Sequence, residues 1–93
     1  MANISFMISV LIPVHNYLIT TLVQSLHKQL TAEKIAFEII CLDDASTDKK
    51  FKKINKKIRE LEGVKYNLLK TNIGRSAIRN KLAKIAQYEW LLF

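Results

Sequence analysis

Apolar residues along this chain fall in short continuous runs, separated by segments in which they recur every three or four positions. Residues 6–14, FMISVLIPV, form the first run and predict a strand covered on both sheet faces. Pro13 is expected to end it, because proline has no amide to give a central ladder. Asn16 is then placed to cap a helix in which Ile19, Val23, Leu26 and Leu30 recur at helical spacing. Residues 36–42 predict a second buried strand. Ser46, Thr47 and Asp48 follow it, all competent helix caps, and Asp48 also suits the positive end of a helix dipole. The next helix is expected to present Phe51, Ile54, Ile58 and Leu61 on one face with lysines around the rest, and to end at Gly63. Residues 64–69 predict a third strand and 70–74 a loop. A helix over 76–86 turns Ile78, Leu82 and Ile85 inward, and a fourth strand begins at 89–93.

Strands separated by helices of about a dozen residues imply parallel pairing. The expected fold is α/β: an open, doubly wound, mainly parallel sheet with helices on both faces, of the Rossmann-like kind. Ligands bind such sheets at the carboxyl ends of the strands. Segments 13–16, 43–48 and 71–79 all fall on that one edge, and they hold the most distinctive polar residues of the chain.

Composition narrows this only a little. Ninety-three residues make one domain or part of one, and 49% hydrophobic with 25% charged content excludes disorder. The single cysteine, Cys41, lies in an apolar strand and reads as a small core residue; one unpaired cysteine favours a reducing compartment. A net charge of +7 points toward nucleic acid, anionic lipid or phosphorylated substrates. Residues 1–14 have no cationic start and are interrupted by Asn3, Ser9 and Pro13, so neither a signal peptide nor a membrane span is expected there. A cytoplasmic location is expected, peripheral to the inner face of the membrane if a membrane is involved. The final residues, EWLLF, carry no polar tail, and the chain is expected to be a front portion cut at the end of its fourth strand.

Each candidate motif has two readings. Asp43 and Asp44 should point to opposite sheet faces, so they do not form a joint acid–base pair. Either can accept bonds from a ribose or a base edge, or simply satisfy backbone donors in the turn. Asn72-Ile73-Gly74 opens a helix, and its free amides could receive an anion. Arg75 and Arg79, four residues apart, could face a diphosphate; the alternative is a solvated basic face. The run KKFKKINKKIR at 49–59 is a solvated helix face or a contact for anionic lipid or polyanion. His15 could stack on or bond to a base, or be a structural loop residue; His27 has no distinguishing context, and Trp90 reads as core. The turn 13–16 has no glycine, which disfavours a dehydrogenase, and a P-loop and a His/Cys metal cluster are absent from the sequence.

Taken in order, SVLIPVHN, FEIICLDDASTD, NIGRSAIRN and EWLLF resemble the family 2 glycosyltransferases, inverting enzymes with the A-type nucleotide-diphospho-sugar fold. The likeness covers residues 7–93. It implies that Pro13, His15 and Asn16 form the first nucleotide-binding turn, with His15 where the family usually has a tyrosine against the nucleobase. It implies that Asp43 and Asp44 are the paired aspartates, the second bonding the base, with Ser46 and Asp48 completing the motif. Asn72, Gly74 and Arg79 match the third motif, with the arginine near the nucleotide. The family's divalent metal, manganese or magnesium, is expected on ligands beyond Phe93, along with the catalytic base, and none is expected on these residues.

The resemblance therefore implies a glycosyltransferase that moves sugar from a nucleotide-diphospho-sugar, expected to be a UDP-sugar, to a hydroxyl of a saccharide or lipid-linked acceptor in cell-surface polysaccharide assembly. These 93 residues would be its N-terminal nucleotide-binding portion, inactive alone and able to self-associate through an exposed last strand. Nucleic acid is not a partner in that reading. The alternative is a small basic module binding nucleic acid or anionic membrane.

Overall fold

The computed structural model describes residues 7–88 and 90–93. The expected positions Phe6 and Glu89, and the side chain of Trp90, lie outside the described part. Four strands, β1 (Met7–Val14), β2 (Ala36–Asp43), β3 (Val64–Leu68) and β4 (Trp90–Leu92), form one parallel sheet in the order β3-β2-β1-β4. Between them lie α1 (Thr20–Ala32), α2 (Lys49–Lys56) continued by a 3-10 helix (Lys57–Glu60), and α3 (Arg75–Ile85).

Alternation along the two central strands builds two cores. Val10, Val14, Ile39 and Cys41 point to the face covered by Ile19 and Val23 of the α1 segment and by Ile58, with Val64 and Tyr66 from β3. Leu11, Ile40 and Leu42 point to the other, where Ile78 and Leu82 of α3 cover them. The continuous apolar runs thus reflect a sheet buried on both sides.

Four local expectations are corrected. Pro13 does not end β1: it pairs with Leu42 in register, one position before the end. The Val14 carbonyl accepts the Asp44 amide at 2.7 Å, so Val14 faces β2 and Pro13 faces the other side. On that side the pairing with β4 reaches only Val10, and no ladder bond is asked of the proline. Asn16 does not cap α1; Ile19 occupies the cap without a side-chain bond, and the Ile19 amide is taken instead by Asn55 Oδ1 at 3.0 Å. In α2 it is Asn55 that is buried, at 1% exposure, whereas Ile54 is 39% exposed. Ile85, expected inside, is exposed at the last turn of α3. Asp48, by contrast, does cap α2, its Oδ1 accepting the Phe51 amide at 3.0 Å.

A buried carboxylate ties the far end of the sheet together. Glu38 on β2 accepts from Ser9 Oγ and from the Gln87 amide, both at 2.6 Å, and its other oxygen faces Lys65 Nζ at 3.4 Å. One side chain thus joins β1, β2, β3 and the corner leading into β4. Among the described residues no helix is long and apolar enough to cross a membrane.

Candidate nucleotide-binding site

The loops that leave β1, β2 and β3 meet at the carboxyl edge of the sheet and enclose a cleft of 390 Å³. Its walls are Pro13, Val14, His15 and Tyr17 from the first loop, Asp44 from the second, and Asn72, Gly74, Arg75 and Ile78 from the third loop and α3.

Asp44 is the knot of this edge. Its Oδ1 accepts the Ile73 amide at 2.7 Å and its Oδ2 the Gly74 amide at 2.9 Å. The expectation that these amides are free to receive an anion is therefore corrected: the chain supplies its own. The geometry is that of a carboxylate in the mouth of a turn, and Gly74, at φ 88°, takes a conformation that glycine adopts without steric cost. The carbonyl of Asp44 is also used, accepting from His15 Nδ1 at 2.8 Å and from Asn72 Nδ2 at 3.1 Å. A carbonyl only accepts, so His15 carries its proton on Nδ1. Its Nε2 is then an acceptor, with Asn16 Nδ2 at 3.5 Å, on an exposed ring at the cleft wall.

Asn16 joins the first loop to the second. At φ 49°, a left-handed conformation that asparagine tolerates, its Oδ1 accepts the Thr47 amide at 2.8 Å and the Asp48 amide at 2.9 Å. Its own amide donates to Ser46 Oγ at 2.8 Å. Asn16 thus shapes the cleft from behind its wall. Ala45, between the aspartate pair and Ser46, also sits at positive φ, 56°, where its Cβ is unfavourable by roughly 1–2 kcal/mol.

Asp43 does not line the cleft. It is fully buried, with Oδ1 accepting the Ser46 amide at 2.8 Å and Oδ2 accepting the Tyr66 hydroxyl. Burial first, then the bond to Asp43, hold the Tyr66 phenol above its ordinary range. Of the two arginines expected side by side, only Arg75 reaches the cleft. Arg79 lies with its guanidinium over the Phe93 ring, 4.7 Å from its centre, in a separate groove with Ser76 and Asn80. Of the expected site residues, Pro13, His15, Asp44, Asn72 and Gly74 are brought together, Asn16 and Asp43 support them from behind, and Arg79 stands apart.

Two residues escaped the sequence reading. Tyr17 lines the cleft with 67% of its surface exposed, and nothing in its spacing marks it as more than a loop aromatic. Asn55 holds the Tyr17 carbonyl through Nδ2 at 2.7 Å while its Oδ1 takes the Ile19 amide. Its signal was present, since it is the one uncharged polar residue within the basic run.

The residues present do not fit a divalent metal. Among the described residues no three His, Cys, Asp or Glu side chains converge, and the carboxylates of Asp43 and Asp44 are committed to the donors just named.

The sequence matches the profile of "Glycosyl transferase family 2" over residues 9–93. It is 40% identical, over 89 residues, to a poly(ribitol-phosphate) beta-glucosyltransferase of Bacillus spizizenii, in an alignment covering 92% of this chain and 14% of that protein. Its fold superposes on the crystal structure of S. aureus TarS 1-349 with a TM-score of 0.75 and 36% identity, covering 95% of this chain and 26% of that one. This chain therefore spans only a small part of the relatives it matches. With a profile match across nearly its whole length, and the cleft on the edge where that resemblance requires it, the chain belongs to glycosyl transferase family 2.

Proposed function

We propose that the cleft receives the nucleoside end of a nucleotide-diphospho-sugar, a UDP-sugar, in an enzyme that glycosylates a hydroxyl of a cell-surface polymer. The observation that carries this is the convergence, at one sheet edge, of Asp44, the His15 ring and the Asn72–Gly74 turn in a chain of this family. In this reading the ring of Tyr17, and not a tyrosine at position 15, offers the nucleobase an aromatic face, and His15 Nε2 offers an acceptor. Asp44, with both carboxylate oxygens on the Ile73 and Gly74 amides, fixes the turn against which the base or ribose would sit. Arg75 stands where the diphosphate would emerge.

The name of the Bacillus spizizenii relative supports a polyol-phosphate polymer as acceptor. Family membership implies a metal for the full enzyme, which would offset the charge of the diphosphate leaving group; we assign it to parts of the relatives' chains that this chain does not span. We likewise assign no described residue the role of base, and infer that the 93 residues bind without turnover. We place the enzyme in the cytoplasm, the side on which a nucleotide-sugar donor is supplied. The test is calorimetric titration of uridine diphosphate into the protein and into Tyr17→Ala. Loss of a base-stacking ring costs about 1–3 kcal/mol; unchanged affinity in the variant would remove Tyr17 from the site.

A further inference from the structure

The most basic part of the molecule is not used by the cleft. From Lys49 to Arg59 the chain carries six lysines and one arginine with no acidic residue. Between this segment and the edge strand β3 runs a second groove, of 400 Å³, lined by Lys52, Lys53, Lys56, Arg59, Tyr66 and Leu68. Arg59 is held in place there. Its Nε donates to the Tyr66 carbonyl at 2.8 Å, and its guanidinium lies 5.8 Å from the Tyr66 ring centre. A guanidinium fixed by Nε presents its outer N–H groups in a set geometry suited to phosphate oxygens. Among the described residues the one ion pair is Lys65–Glu38, so no carboxylate neutralises the cations of this groove.

We propose that this α2–β3 groove binds the phosphodiester backbone of a polyol-phosphate polymer, holding the acceptor chain beside the sugar-donor cleft; the acceptor's identity rests on the function proposed above. The details argue against two other polyanions in turn. Single-stranded nucleic acid is held by stacking bases on open aromatic faces, but Tyr66 is only 2% exposed. A lipid surface needs an apolar face turned outward. Here Ile58 is buried and Phe51 half-buried against the protein, leaving only Ile54 on the segment and Leu68 across the groove as exposed apolar residues, too few for such a face. What remains is a concave, cationic track that reads phosphates and asks nothing of bases or acyl chains.

The groove and the cleft are linked through the end of β2: the Tyr66 hydroxyl on the groove side bonds Asp43, whose chain neighbour Asp44 lines the cleft. A polymer retained in the groove would raise the effective concentration of its hydroxyls near the donor site.

The experiment is fluorescence anisotropy of labelled poly(ribitol phosphate) at low salt, on the protein and two triple variants. Lys52→Gln/Lys53→Gln/Lys56→Gln keeps good helix formers and should weaken binding by about tenfold or more. Lys28→Gln/Lys81→Gln/Lys84→Gln removes the same charge from other exposed positions and should stay within about twofold. Uridine diphosphate titrations in parallel report an intact fold and test the cleft separately. If uridine diphosphate fails to bind while the groove variant still loses the polymer, the function proposed above falls and the groove stands. No polymer binding by the unmodified protein, equal losses in both triples, or binding to phosphatidylglycerol vesicles with none to polymer would overturn the groove.

Discussion

Asp44 Oδ2 accepts the Gly74 amide at 2.9 Å, so a side chain at the end of the second strand closes a turn thirty residues further on. Its companion bond to the Ile73 amide makes the grip two-pronged. Asp44→Asn replaces one of these acceptors with an amide group that faces a backbone N–H. We expect destabilisation of about 1–3 kcal/mol, seen as a lower denaturant midpoint, together with weaker uridine diphosphate binding. Loss of binding with stability unchanged would mean that Asp44 serves the ligand and not the turn.

Asn55 reaches the cleft only through Tyr17, whose carbonyl it holds at 2.7 Å. Asn55→Ala should lower stability by about 1–3 kcal/mol, because it strands the Ile19 amide and the Tyr17 carbonyl in a half-dry site. It should also weaken uridine diphosphate binding, although no atom of Asn55 lines the cleft. Calorimetry showing full affinity in a folded variant would separate Tyr17 from its anchor.

The sheet and its carboxyl-edge site were legible because covered strands write themselves as apolar runs, and because parallel topology sends every strand end to one side. The details were not, for reasons of partner choice. Asn16 looks like a cap for the helix after it, yet its side-chain Oδ1 is claimed by the amides of Thr47 and Asp48, 31 and 32 residues away. The free-amide turn at Ile73–Gly74 is filled by a carboxylate whose direction a sequence does not carry. Ile54 and Asn55 exchange the burial that their chemistry suggests, because an asparagine able to satisfy two backbone groups at once is worth more inside than a second isoleucine. Arg79 follows the Phe93 ring instead of the cleft.

Burial pushes the Cys41 thiol from its ordinary 9.0 up to about 12. The unfolded chain releases that proton near pH 9 while the folded chain keeps it. Stability should therefore be unaffected by this group below pH 9 and fall progressively as pH rises toward 12. Cys41→Ala should flatten that alkaline decline even if a cavity lowers stability at all pH values. Denaturant midpoints from pH 8 to 11 decide it, and parallel slopes for the two proteins would contradict the assignment.

At the edge of the sheet, β4 leaves Leu91, Leu92 and Phe93 exposed by 41%, 54% and 50%. Exposed apolar edges pair with other chains. We expect the 93-residue protein to form concentration-dependent dimers or larger species in light scattering, and Leu92→Lys to shift it toward monomer. A monodisperse monomer at high concentration would show that this edge is protected.

The central claim is that the cleft between His15, Tyr17, Asp44 and Gly74 is a nucleotide site. It is tested most directly by following backbone amide resonances of the protein while uridine diphosphate is added, with and without manganese. A diphosphate needs several fixed donors or a metal, and among the described residues the cleft offers Arg75 and few amides. We therefore predict weak, saturable binding, nearly indifferent to manganese, with the largest shifts at His15, Tyr17, Asp44, Ile73 and Gly74. Shifts centred on the α2–β3 groove, or none at millimolar ligand, would contradict it.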